Sequence, residues 1–579
     1  MEFFRERNLH LYGMVDMVPY ISVLAVRPVG QTEKEVPYRS ILPHSVDIDF
    51  IKRNIKTCVN EHESCRTSEE QADGLNVIDC RSQKVVPAPV GCQYIALSYV
   101  WGAKPEDATV GFPQVVQDSI RVTKALGCRY IWVDRYCIDQ EDTQKQHIFN
   151  QMHRVYSNAF LTIIAGAGRD AHHGLPGVSS GRPKQIKFQL GNLQFDEVFP
   201  SNNLALTNSA WATRAWTYQE SYFSRRRLCF TEKQVLWICN DCTQAECISS
   251  SSRGADHVET PVPLRRHKHV FIIGDMQYDI CLYTARLLSY PSDSLNAILG
   301  VLQYYVELTT EPQHCGNEPA KGRGNRRALA SGIDINHAWG VPLYRERQSQ
   351  EIMFDVGWRH LKPGTRRPEF PSWSWAGWAG QIHFLESVVA PDMNWSFMTN
   401  RHIEVPRDAF HNQTVQGDDA PRGLVITTKV CPVTLWDNST GHMTNQTTSS
   451  KFRVVFQLTE TVYAGTEWAP DEVPDEVPDV HGDYLAASFW HKGEVFLDRY
   501  VNSFTGQMIL RRRDQDFERI GISHMPKVNN PDWFYKNWTY FDAAGNILDL
   551  SDDDKEHLKE QDGHWWWYEH AETQRICIF

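Results

Sequence analysis

The sequence predicts an α/β protein in which helices flank a parallel sheet, followed by a helical segment and a β-rich C-terminal region. Three apolar runs that stop abruptly at polar or aromatic residues predict the central strands: Tyr94–Val100, Tyr130–Val133 and Ala159–Ala165. Runs that are apolar on both faces are typical of strands covered on both sides. Helical patterns separate them, and crossovers of roughly 25–30 residues indicate parallel strands with right-handed connections.

The elements around these strands are bounded by turn-forming residues. Pro113 in the first turn and Gly127 after the last turn delimit a helix between the first two strands. Helical spacing predicts further helices at 47–65, 142–156 and 211–223. Two short strands, at 77–79 and 85–87, precede Tyr94, and a hairpin pairs 228–230 with 235–239.

Composition and charge exclude several classes of protein. The chain has 579 residues, 41% of them hydrophobic, which is enough for packed cores in several domains. Its net charge of −12 lacks the basic surplus of nucleic-acid-binding proteins, so we expect no nucleic acid partner. The N-terminus has no signal-peptide core, and no run reaches the ~18 apolar residues that span a bilayer. We therefore expect a cytoplasmic protein without a membrane span and with reduced thiols.

Two groups of cysteine and histidine residues have metal-ligand spacing: Cys58, His62 and Cys65 at the end of the 47–65 helix, and Cys239, Cys242 and Cys247 after the hairpin. Each group suits half of a zinc site. No second half follows the first group nearby, and no histidine is placed to complete the second. Buried thiols are the alternative, and we predict no metal site.

Polar and aromatic residues lie at the carboxyl ends of the first two central strands: Ser98, Tyr99, Trp101 and Gly102, then Asp134, Arg135, Asp139 and Gln140. In open parallel sheets, ligands bind beyond the carboxyl ends of the strands. An aromatic wall with hydroxyl and carboxylate groups suits a planar ring joined to a sugar. In the alternative interpretation, Tyr99 and Trp101 pack against the sheet edge, while Asp134 and Asp139 cap the next helix.

Glu220 lies late in the aromatic 211–223 helix, together with Arg214 and Trp216. A carboxylate among aromatic residues is costly to bury unless it is paired. Glu220 therefore either forms an ion pair with an arginine such as Arg214 or has a tuned pKa and a function. The sequence leaves both alternatives open.

Four segments occur in order along this part of the chain: Leu97–Gly102, Ile131–Gln140, Gly174–Gly177 and Arg214–Glu220. Together they resemble the heterokaryon incompatibility (HET) domain of fungi, over roughly residues 92–240. Proteins of this family trigger programmed cell death in allorecognition, when genetically different hyphae fuse. The HET domain is distantly similar to the Toll/interleukin-1 receptor (TIR) domain, which has a flavodoxin-like fold.

Some TIR domains cleave NAD at the nicotinamide–ribose bond through one glutamate, so the resemblance implies an NAD glycohydrolase (NADase) with Glu220 as the catalytic residue. NAD would then be a substrate, and no cofactor is implied. The strand-end residues given above, with Arg214 and Trp216, would bind it. The alternative is a non-enzymatic signalling module of heterokaryon incompatibility, with Glu220 in a structural ion pair.

These patterns divide the chain into four regions: 1–90, an N-terminal extension; 91–248, the HET domain; 260–380, a helical region with a Trp-rich block; and 381–579, the β-rich region. The resemblance implies self-association or an incompatibility partner protein.

Overall fold

The computed structural model describes residues 9–13, 20–31, 36, 38–66, 72–102, 111–138, 151–199, 204–248, 263, 272–310, 333–348, 352–384, 394–407, 421–437, 452–457, 463–470, 484–489, 504–526, 539–541, 547–551, 554 and 572–579. They fall into two compact units. The first comprises 1–268 with 296–301, and the second comprises 269–295 with 302–579. No helix among the described residues is long and apolar enough to cross a membrane.

The first unit contains the predicted α/β sheet. Its strands are β1 (Leu9–Gly13), β2 (Tyr20–Pro28), β3 (Asn76–Asp79), β4 (Lys84–Pro87), β5 (Tyr94–Ser98), β6 (Tyr130–Val133), β7 (Leu161–Ala165), β8 (Lys187–Leu190), β9 (Leu193–Val198), β10 (Arg226–Phe230), β11 (Val235–Cys239) and β12 (Thr243–Ala245). Its helices are α1 (Ile48–Glu61), α2 (Gln114–Ala125), the single turn α3 (Asp134–Cys137), α4 (Met152–Asn158), α5 (Leu204–Thr207) and α6 (Trp216–Phe223).

Within the described residues, eight strands form one mixed sheet in the order β12-β11-β10-β7-β5-β6-β3-β4. The four central strands, β10, β7, β5 and β6, pair in parallel, and the outer strands pair antiparallel. From β5 the chain goes first to β6 on one side and then to β7 on the other. The order of the strands therefore reverses at β5, and a crevice for a ligand is expected beyond its carboxyl end.

The predicted α/β class is confirmed, but the sheet is mixed rather than purely parallel. Both edges are built from hairpins, β3–β4 and β11–β12, whose short connections allow only antiparallel pairing. The 211–223 helix begins later than predicted, at Trp216. The residues before it form turns in which the Ser209 Oγ accepts from the Ala212 N–H (3.2 Å). Of the predicted 142–156 helix, residues 142–150 lie outside the described part of the chain.

One face of the sheet packs against the segment between β9 and α6. Trp211 and Leu206 are fully buried there against Ile164, Cys229 and Ile238 of the central and hairpin strands. A second, four-stranded sheet of order β1-β2-β9-β8 contributes Val198 to the same core. The turn that precedes α6 is therefore held on the sheet by a buried indole ring.

The second unit is mainly β. Its helices are α7 (Ile272–Thr284) and, from residue 302 onward, α8 (Asn296–Thr310). Its strands are β13 (Ile333–Ala338), β14 (Val341–Glu346), β15 (Ile352–Phe354), β16 (Trp358–His360), β17 (Thr365–Arg366), β18 (Trp378–Ala379), β19 (Ile382–Phe384), β20 (Asn394–Met398), β21 (Glu404–Val405), β22 (Gly423–Asp437), β23 (Phe452–Gln457), β24 (Tyr463–Pro470), β25 (Tyr484–Phe489), β26 (Phe504–Arg513), β27 (Asp516–Pro526), β28 (Thr539–Phe541), β29 (Ile547–Leu548) and β30 (Glu572–Ile578).

Among these strands, β20 to β30 form one sheet around the long strand β22. This confirms the β-rich C-terminal region predicted from the sequence. The Trp-rich block, Pro371–Trp378, forms buried core together with Trp358. Trp358, Trp373, Trp375 and Trp378 are at most 2% exposed. Their indole N–H groups donate to backbone carbonyls at 2.8–3.1 Å. Each ring thus buries its apolar surface without leaving its one donor unsatisfied.

Candidate functional site

A hydrogen-bonded chain of three side chains lies at the carboxyl end of β5. Ser98, its last residue, donates from Oγ to Glu220 Oε2 at 2.5 Å. The same Oγ accepts from Trp211 Nε1 at 2.7 Å. All three residues are buried, and Glu220 is 5% exposed. The Glu220 carboxylate is thus held against the end of a central strand by a hydroxyl group that an indole N–H orients.

A second carboxyl group, that of Asp134, directly follows the neighbouring strand β6. Its oxygens accept from Trp101 Nε1 at 2.9 and 3.1 Å, and from the Arg135 backbone N–H at 2.7 Å. Burial, followed by the charge of Glu220, raises the pKa of Asp134 to about 7, against the lowering effect of its hydrogen bonds and of Arg214. The charge of Glu220 therefore acts on Asp134 at the same edge of the sheet.

Two phenol groups lie beside these carboxyl groups. Burial and the charge of Asp134 raise the pKa of Tyr99 far above its ordinary value. Burial and the charges of Glu220 and Asp134 do the same for Tyr156. The buried Tyr99 hydroxyl has no hydrogen-bond partner among the described residues. Both phenols are neutral at physiological pH, so they are available as uncharged hydrogen-bond donors.

Two guanidinium groups lie close to the carboxyl groups. Arg214 Nη1 donates to the Tyr99 carbonyl oxygen at 3.2 Å. The Arg135 guanidinium lies 5.7 Å from the centre of the Trp101 ring. Both side chains are partly exposed, unlike Ser98 and Glu220. The site therefore combines a buried carboxylate with partly exposed positive charge.

The structure brings together most of the residues predicted from the strand ends and the helix: Ser98, Tyr99, Trp101, Asp134, Arg135, Arg214 and Glu220. Gly102 is exposed and has a φ of +75°, and a Cβ there would lie 2.6 Å from Asp170 Cβ. Trp216 is half-buried and begins α6. Asp139 and Gln140 lie outside the described residues.

Two residues of this site, Trp211 and Tyr156, were missed by the sequence analysis. Each was assigned only to a predicted helix, Trp211 to 211–223 and Tyr156 to 142–156. Trp211 instead lies in a turn, and its indole reaches Ser98 across 113 residues of chain. No local pattern signals such a contact, because it depends on how the turn before α6 packs on the sheet.

The hydrogen-bonded side chains of this site come from one part of the chain, between Ser98 and Glu220. Residues 94–220 match the family model described as Heterokaryon incompatibility protein (HET). No curated protein and no solved structure matched the chain.

The match to the HET family begins at the first residue of β5 and ends at Glu220. It confirms the HET resemblance predicted from the four motifs. Ser98, Asp134, Trp211 and Glu220 all lie within the matched segment. The chain is therefore similar to HET proteins in the segment that forms the candidate site.

Proposed function

We propose that this protein acts in heterokaryon incompatibility as a cell-death effector whose HET segment cleaves NAD at the nicotinamide–ribose bond. One observation carries the proposal: the Glu220 carboxylate, hydrogen-bonded to Ser98, and the Asp134 carboxyl group lie at the carboxyl ends of adjacent parallel strands. Enzymes that break glycosidic bonds commonly use two carboxyl groups whose different surroundings give them different pKa values.

The sheet supports this location for the site. The reversal of strand order at β5 is where ligands bind in open parallel sheets. The parallel strands follow the order β6-β5-β7-β10, the beginning of the flavodoxin-like order, which supports the proposed likeness to TIR domains. A likeness of fold alone says nothing about chemistry, so the proposal depends on the residues.

Glu220 has the surroundings that the bond-breaking step requires. As nicotinamide leaves, the bonding electrons go to its ring nitrogen, and the ribosyl carbon becomes positively charged. A carboxylate beside that carbon stabilises the charge, and such electrostatic stabilisation is worth about 3–4 kcal/mol. The Ser98 hydroxyl, oriented by Trp211, holds the Glu220 carboxylate before the substrate arrives. We assign Glu220 this catalytic role.

Asp134 suits the second half of the reaction. Nicotinamide leaves as a neutral molecule, so it needs no proton, but the water that attacks the ribosyl carbon must lose one. A carboxyl group with a pKa near 7 is suited to accept that proton at physiological pH. Tyr99 and Trp101 would contact the nicotinamide ring, and Arg135 and Arg214 would bind the phosphates.

Nicotinamide release from NAD by the purified full chain tests the proposal. We expect Glu220→Gln to lower the rate by about 100-fold or more, the effect of losing ~3 kcal/mol of charge stabilisation. Glu232→Gln is the matched control, because its side chain is 57% exposed on the β10–β11 hairpin and loses the same charge. Circular dichroism spectra should show that both variants are folded.

Two results would contradict this function. One is a folded wild-type chain that releases no nicotinamide either as a monomer or after self-association. The other is a folded Glu220→Gln variant as active as Glu232→Gln. In the first case, the non-enzymatic signalling role would replace NAD cleavage as the function of the HET segment.

A further inference from the structure

The first group of potential metal ligands, Cys58, His62 and Cys65, meets one member of the second group, Cys239, in the first unit. Cys58 lies in the last turn of α1, and His62 and Cys65 follow it directly. Cys239 is the last residue of β11 and lies 177 residues after His62. The ligand atoms of these four residues all lie within 4.8 Å of one another. Cys58, Cys65 and Cys239 are at most 2% exposed.

The distances within this cluster are close to those between ligands of one metal ion. Cys239 Sγ lies 3.3 Å from His62 Nδ1. In tetrahedral zinc sites, Zn–S bonds of about 2.3 Å and Zn–N bonds of about 2.0 Å place neighbouring ligand atoms about 3.5–3.8 Å apart. A disulfide would require sulfur atoms about 2.05 Å apart. All three cysteines are free thiols.

The surroundings of the cluster are those of metal ligands. While His62 Nδ1 faces Cys239, its Nε2 lies 3.4 Å from Asp241 Oδ2. A carboxylate on the second ring nitrogen is the common way to orient a metal-binding histidine. The Cys242 backbone N–H donates to Cys239 Sγ at 3.4 Å, and Arg226 Nε donates to Cys58 Sγ at 3.1 Å. Such donors stabilise thiolate sulfur.

We propose that Cys58, His62, Cys65 and Cys239 bind one Zn²⁺ ion in a tetrahedral, purely structural site. Thiolate and imidazole ligands together favour zinc over the hard cations magnesium and calcium. Four protein ligands leave no position open for water or substrate, which is the mark of a structural site. The Cys242 thiol, 3.6 Å from Cys239 Sγ, stays outside the ligand set.

The ion would join α1 to the hairpin next to the candidate site. Arg225 and Arg226, at the start of β10, both donate to the Cys65 carbonyl oxygen at 3.2 Å. The residue before them, Ser224, donates from Oγ to the Glu220 carbonyl oxygen at 2.7 Å. The zinc site therefore supports the chain directly after α6. Its existence does not depend on any activity of Glu220.

Metal analysis of the full-length protein, purified without a polyhistidine tag, tests the site. Elemental analysis by inductively coupled plasma mass spectrometry should find about one zinc ion per chain. Cys239→Ser and Cys65→Ser should each lower zinc occupancy at least about tenfold after dialysis against a chelator. Cys92→Ser is the matched control, because this half-buried thiol lies outside the cluster, and it should keep its zinc. Cys242→Ser should also keep it.

Cobalt substitution tests the site in the wild-type protein, so its result does not depend on whether the variants fold. Wild-type protein loaded with Co²⁺ should show the visible absorption of a tetrahedral thiolate complex, and Zn²⁺ should displace it. Wild-type protein that takes up neither ion under reducing conditions would overturn the proposal. Zinc lost from Cys242→Ser but retained by Cys65→Ser would overturn the assigned ligand set.

Discussion

Asp134 and Glu220 are carboxyl groups at the same edge of the sheet, but their partners differ. A serine hydroxyl donates to Glu220, whereas an indole N–H and a backbone N–H donate to Asp134. Burial and the charge of Glu220 raise the pKa of Asp134 to about 7. The structure thus keeps a proton on Asp134 at pH values where an unfolded chain, with a pKa of about 3.9, has lost it.

Because of this proton, the free energy of unfolding should depend on pH through Asp134. The stability that Asp134 contributes is fully present below about pH 4 and is lost as the pH rises to about 7. Asparagine cannot ionise, so Asp134→Asn should avoid this loss. We expect the variant to gain on the order of 2 kcal/mol over wild type at about pH 8, and much less at about pH 5. Urea denaturation at both pH values measures the difference.

Asp49→Asn serves as the control for this comparison, because Asp49 is exposed in the first turn of α1. Its effect on stability should be the same at both pH values. A gain in Asp134→Asn that does not grow with pH would show that Asp134 is already ionised in the folded protein near pH 5.

At the scale of elements, one aspartate holds the Gly174–Gly177 motif in place. Asp118 is fully buried on α2, and its Oδ2 accepts from the Leu175 backbone N–H at 2.9 Å and from the Ser179 hydroxyl. Its Oδ1 accepts from Arg121 Nη1 at 2.9 Å. Gly174 has a φ of +75°, and a Cβ there would lie 2.7 Å from Asp118 Oδ2. The motif therefore serves to dock a loop on α2.

Removal of this carboxylate should destabilise the first unit. Asp118→Ala leaves the buried Leu175 N–H without a partner and also removes the acceptor of Ser179 and Arg121. Hydrogen bonds to charged groups contribute about 1.5–3 kcal/mol each. We expect a loss on the order of 3 kcal/mol in the free energy of unfolding, measured by chemical denaturation. Asp49→Ala should change stability by less than about 0.5 kcal/mol. Equal effects of the two substitutions would contradict the docking role.

At the scale of the whole chain, the last strand completes the sheet of the second unit. Along β22, residues Leu424–Val430 pair with β30, and residues Gly423–Thr427 pair with β20 on the other side. Ile576 and Ile578 of β30 are at most 4% exposed. The Phe579 carbonyl oxygen accepts from the Ser372 backbone N–H at 3.2 Å. The end of the chain is therefore tied to the Trp-rich block.

Deletion of residues 572–579 should destabilise the second unit by at least about 3 kcal/mol, because each buried isoleucine contributes about 1.5–3 kcal/mol. It should also cause aggregation, since β22 would lose a neighbour and expose an unpaired edge. Denaturation and size-exclusion chromatography measure the two effects.

Arg575→Ala is the control for the deletion. It removes only an ion pair with Glu404 in which both side chains are about half exposed, at 53% and 48%. Such pairs are worth at most about 1 kcal/mol. A deleted chain as stable and monomeric as this variant would show that β30 is dispensable.

The central strands could be predicted from the sequence because burial on both faces is a local property. The runs that begin at Tyr94, Tyr130 and Ala159 are mostly apolar, and each forms a buried central strand. The HET motifs are equally local, since each is a short segment. Together they indicated where Ser98, Asp134 and Glu220 would be found, at the ends of strands and on one helix.

Only the tertiary structure showed which side chains meet. Trp211 reaches Ser98, Asp118 reaches Ser179, and His62 reaches Cys239 through contacts between segments far apart in sequence. Spacing along the chain carries no information about such pairs, because they depend on how strands are ordered in the sheet and how helices pack on it. For this reason the sequence separates Cys58, His62 and Cys65 from Cys239, and the fold brings these four side chains into one cluster.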